Sequence, residues 1–147
     1  MKRKLLILAL GVGLLLVVTA LGTFITNYFP THPTSQVQTT QAGTYTVTLS
    51  VDPNPPATDK QTTLTVQVQQ TSSHNAVNGL KVTIDGAVQG DMGGEMGGST
   101  STQTTAQGSG TYVAHVSLGM SGSWQIQVLI SEPGQPALNA VFTVTTQ

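Results

Sequence analysis

No cysteine occurs in the 147 residues of this chain. That excludes a disulfide framework, a thiolate metal site and thiol redox chemistry, so any core must hold without a covalent staple. Charge is nearly as scarce: charged residues make up 7% of the chain and the net charge is −1. So few basic residues offer no surface for phosphates, and nucleic acid is excluded as a partner. The groups an enzyme needs are missing too. No serine stands in a nucleophile elbow and no His-Glu pair has metalloprotease spacing. The acids Asp52, Asp59, Asp85, Asp91, Glu95 and Glu132 are scattered over loops and strand ends rather than paired for acid–base work. The glycine-rich stretch "GDMGGEMGG" contains no lysine and follows no βαβ pattern, so it is not a phosphate loop. The expectation is a protein that is not an enzyme.

What charge there is lies unevenly. Lys2, Arg3 and Lys4 open the chain, and no further charge occurs until Asp52. Between them, Leu5 to Phe29 is an apolar run. As a helix it reaches about 37 Å, enough to cross a hydrocarbon core of about 30 Å. The basic flank stays cytoplasmic, so everything after Phe29 is expected outside the cell membrane, with Tyr28 and Phe29 at the outer interface. A cleaved signal peptide ending at "VTA", Val18 to Ala20, is the alternative, and would leave a secreted protein. Both readings export the same domain. From Pro30 to Gly43 the chain is rich in Pro, Thr and Gln without apolar period, and is expected to be a stalk carrying a solvated His32.

From Thr44 to Gln147 the dominant pattern is alternation, the mark of strands with one buried face. Tyr45, Val47, Leu49 and Val51 lie on one side of the first such stretch. Leu64, Val66 and Val68 follow, then Leu80, Val82 and Ile84. After a break of about twenty residues the alternation returns with Tyr112, Ala114, Val116 and Leu118. It continues with Trp124, Ile126, Val128 and Ile130, and ends with Leu138, Ala140, Phe142 and Val144. Between these runs lie turn-rich stretches such as "DPNPPATDKQ", "MSGS" and "EPGQPA". The fold expected is all-β, an immunoglobulin-like antiparallel β-sandwich preceded by one N-terminal transmembrane helix, with Trp124 anchoring the core.

The order of an N-terminal membrane segment, a sandwich opening with "YTVTLSVDPNPP", a middle rich in methionine and glycine, and then "GSGTYVAHVSLGMSGSWQIQVLI" resembles the YtkA-like family, related to the FixH-like membrane proteins. The resemblance covers about Thr44 to Thr146. Its most specific part is Gly110, Tyr112, Met120, Gly122 and Trp124 in order. It implies a link to copper handling or to the assembly of copper-containing oxidases. In many relatives the middle loop pairs methionines with a histidine, whereas here no histidine is adjacent.

The loop has chemistry of its own. Ala87 to Ser109 is long for a connection inside a compact domain, and it carries Met92 and Met96. Thioether sulfur is a soft ligand suited to Cu(I), and without thiolates methionine is the natural soft donor. Asp91 and Glu95 are harder groups that draw a cation near. Two sulfurs make an incomplete site, and Met120 or His115 is the candidate to complete it. Met120 also reads as an apolar lid over the end of the sandwich, and His115 as a solvated side chain facing outward from its strand. His74 sits in a turn with no assigned role. Two functions follow: a tethered module that binds or relays a copper ion, or a non-catalytic interaction module whose strand edges or threonine-rich faces contact a membrane protein.

Overall fold

The computed structural model describes residues 34–89 and 99–147. Nine strands make up the order β1 (Val37–Ala42), β2 (Tyr45–Asp52), β3 (Gln61–Gln70), β4 (Lys81–Val88), β5 (Ser99–Gln103), β6 (Thr105–Gly108), β7 (Thr111–Ser117), β8 (Gly122–Ser131) and β9 (Leu138–Thr146). They form two antiparallel sheets, β1-β2-β3-β7-β6 and β5-β4-β8-β9. Among the described residues no helix is long and apolar enough to cross a membrane. The expected membrane segment Leu5 to Phe29 lies outside them.

All six alternating stretches are strands, and their apolar sides meet in one core. Val47, Leu49, Leu64, Val66, Val68 and Tyr112 come from the five-stranded sheet. Ile84, Trp124, Ile126, Val128, Phe142 and Val144 come from the other. Each such side chain contributes about 1.5–3 kcal/mol when removed from water. Gly86, in the middle of β4, makes room for the largest of them. A Cβ there would stand 3.0 Å from Thr100 Cγ2, 3.1 Å from Ile126 Cδ1 and 3.4 Å from Trp124 Cε3. Small size in one strand is thus the condition for the indole in the next.

Two expectations change. The stretch expected to be stalk ends in a strand: β1 pairs with β2 along its whole length, Val37 opposite Ser50 to Ala42 opposite Tyr45. Its inward residues are Gln38, Thr40 and Ala42, so backbone pairing rather than an apolar face holds it, and no hydrophobic period reveals it. The break between the third and fourth alternating stretches likewise contains β5 and β6. These two are one run of chain that pairs with β4, crosses over at Thr104, and then pairs with β7 in the other sheet. Thr104 makes the crossing by donating both its N–H and its hydroxyl to the carbonyl of Val82, at 3.1 and 2.9 Å.

Candidate functional site

With β5 and β6 taken as one run, the strands go alternately up and down, so each end of the sandwich collects a fixed set of links. One end carries the β2–β3 loop, the β7–β8 turn and the last residues of β9. Met120 lies in that turn, and its backbone is locked. Its carbonyl accepts the Trp124 indole N–H at 2.9 Å and the Thr146 hydroxyl at 2.6 Å. The side chain is 43% exposed and is not among those packed against the core. Leu118, fully buried two residues earlier, closes that end instead. Met120 is therefore not the apolar lid the sequence suggests.

At the same end β4 leaves the sheet and β5 enters it. Val88 pairs with Trp124, Gln89 N–H donates to the Ser123 carbonyl at 2.7 Å, and Ser99 pairs with Ala87. The flanks of the methionine loop are thus held beside the first residues of β8, close in chain to Met120. Met92 and Met96, like Asp91 and Glu95, lie outside the described residues. His115 is exposed as expected, but it sits on the outer face of the five-stranded sheet, opposite Thr63 of β3. Its Nδ1 is 3.2 Å from the Thr63 hydroxyl. Among the described residues no three His, Asp or Glu side chains gather as a metal site.

The signature residues from Gly110 to Trp124 have structural work. Gly110 has φ +70°, and a Cβ on it would stand 2.5 Å from the Val68 carbonyl oxygen. Its N–H donates to Asn78 Oδ1 at 2.7 Å, and its carbonyl accepts from Val68 N–H at 2.8 Å. The Tyr112 hydroxyl donates to the Val77 carbonyl at 2.9 Å and accepts from Leu80 N–H at 3.2 Å. Together they knot the β3–β4 connection to the start of β7. Buried backbone groups need such partners, and here a tyrosine supplies two.

Among the described residues, two surface depressions stand out. One, of about 430 Å³, lies on the outer face of the four-stranded sheet around Asp85, Ser101, Gln125 and Gln127, and the Asp85 carboxylate there accepts the Ser101 hydroxyl at 2.5 Å. The other, about 480 Å³, lies at the end opposite Met120. In it the Tyr45 hydroxyl of β2 donates to Glu132 Oε2 at 2.9 Å, joining one sheet to the loop that leaves the other. Burial, then the hydrogen bond and charge of Glu132, and last Tyr112, push the Tyr45 phenol above its ordinary value. The sequence offers no sign of this pair, because 87 positions separate the two residues.

No curated protein and no solved structure matches the chain. Residues 39–129 do match the model of one family, beginning earlier than the motifs suggest, inside β1, and ending inside β8. The match takes in the Gly110 to Trp124 signature whose structural work is described above, and it covers well over half the chain: this protein belongs to the YtkA-like family.

Proposed function

We propose that this protein is a membrane-tethered, extracytoplasmic, non-catalytic sandwich module that binds or relays copper through Met92 and Met96, in metal handling or oxidase assembly. The observation that carries this reading is Met120. It offers an exposed thioether on a locked backbone, at the same end of the sandwich where Gln89 and Ser99 hold the flanks of the methionine loop. Thioethers alone make a soft donor set that favours Cu(I) over harder ions, and this fits a chain without thiolates. Met120 is the better third donor. His115 belongs to a sheet face and already contacts Thr63. The apolar run Leu5 to Phe29 supplies the tether. The strand orders β2-β3-β7-β6 and β5-β4-β8-β9 support reading the sandwich as immunoglobulin-type.

Docking of a partner strand on a sheet edge finds less support. β1 is stitched to β9, and β5 and β6 offer only short, polar edges.

An anaerobic Cu(I) competition titration of the full chain in detergent tests the proposal. Wild type is expected to bind about one ion per chain. The Met92→Leu/Met96→Leu double variant should lose binding with its fold intact. Met120→Leu should weaken binding about tenfold, the scale of one lost ligand interaction, while His115→Ala leaves it unchanged. No binding by wild type overturns the copper reading.

A further inference from the structure

The cleft at the end opposite Met120 has a chemistry that copper binding does not use. Tyr45 and Glu132 form its polar centre, Gln70 and Gln135 add amides, and Pro136 and Leu138 supply an apolar wall. It is lined by the end of one sheet and the loop that leaves the other. Tyr45 is only 7% exposed and is fixed by strand pairing with Gln70. Its hydroxyl holds one carboxylate oxygen of Glu132, an exposed residue, and among the described residues nothing hydrogen-bonds to Oε1. Among the described residues no lysine or arginine lines the cleft. Leu138 is held in turn: it packs over Gly43, where a Cβ would stand 2.9 Å from its Cδ1.

We infer that this cleft binds an alkylammonium group, its ammonium at Glu132 and its methylene chain along Leu138 and Pro136. A carboxylate beside an apolar wall suits a cation on an aliphatic stem. A hard metal ion gathers six or more oxygens, and the cleft offers a single carboxylate toward them. A free amine and a lysine side chain of a partner share this chemistry. The site is independent of the copper reading.

The test is a titration of the full chain in detergent, followed by backbone amide NMR. Three probes are used: n-pentylammonium, a blocked Gly-Lys-Gly peptide, and n-pentanol as a neutral control. Saturable shifts at Thr44, Gln70 and Gln135 with n-pentylammonium are expected, and pentanol should leave them still. Equal or tighter binding of the peptide assigns the site to a lysine side chain, and its failure beside a binding amine assigns it to free amines. Glu132→Gln keeps an acceptor for Tyr45 and should weaken binding about tenfold, the scale of one lost charge-assisted hydrogen bond. Gln135→Glu adds a second carboxylate and should tighten it. No saturable shift in wild type, equal shifts with pentanol, or an unchanged affinity in both variants overturns the inference.

Discussion

Gly110 and Gly134 both have positive φ, +70° and +80°, yet they answer to different constraints. Around Gly134 there is open space, whereas at Gly110 a methyl group would enter the Val68 carbonyl at 2.5 Å and crowd the Val77 amide at 3.0 Å. Gly134→Ala should cost about 1 kcal/mol, the penalty of the left-handed backbone alone. Gly110→Ala adds a clash with backbone that strand pairing holds in place, and should cost more than about 3 kcal/mol. Urea midpoints of the two variants check the contrast, and equal losses would sink it. The same residue shows why family signatures can mark a fold rather than a chemistry. Gly110, Tyr112 and Trp124 are bound to their positions by packing and backbone hydrogen bonds, and only the Met120 side chain is left free.

A strand is legible when its own residues alternate between core and water, and this explains which elements the sequence reveals. The six alternating stretches are strands in the structure. The three it hides, β1, β5 and β6, are polar and lie at sheet edges or beside a crossover, where partner strands and not apolar side chains set the conformation. At β1 one side chain has an outsized part. The Gln38 carboxamide donates to the Thr143 carbonyl at 2.6 Å and accepts from Thr143 N–H at 3.4 Å. It stands in for a neighbouring strand along part of the β9 edge. Thr34 adds a further bond, accepting from Thr145 N–H at 3.1 Å. Gln38→Ala should lower stability by about 1–2 kcal/mol and the thermal midpoint by a few degrees, on the order of 4 °C. It should also bare the edge, so sedimentation should detect more self-association than in wild type. A variant with the stability and the sedimentation behaviour of wild type would show the edge needs no cover.

Across the whole molecule the two ends of the sandwich differ in chemistry, a free thioether at one and a phenol–carboxylate pair at the other. The second makes stability depend on pH. In the folded chain burial and Glu132 hold the Tyr45 proton above the ordinary phenol value of about 10. The folded state therefore keeps that proton more tightly than the unfolded one. Its stabilisation is whole below about pH 10 and is lost as pH rises through the folded value. Urea midpoints taken from about pH 9 to about pH 11 should fall for wild type and fall less for Tyr45→Phe. Parallel curves would remove the pair from the account.

By itself the sequence determined the all-β class, the six core strands and the faces they bury, because burial that repeats every second residue is written locally along the chain. It also raised the methionines as candidate soft donors in a chain without thiols, since ligand chemistry belongs to the side chain. Only the tertiary structure decided that the chain switches sheets at Thr104, that Gln38 covers β9, that Met120 faces water, and that Tyr45 meets Glu132. Each of these depends on which distant segments become neighbours. That is set by the pairing of strands and the filling of one shared core, and no local pattern carries it.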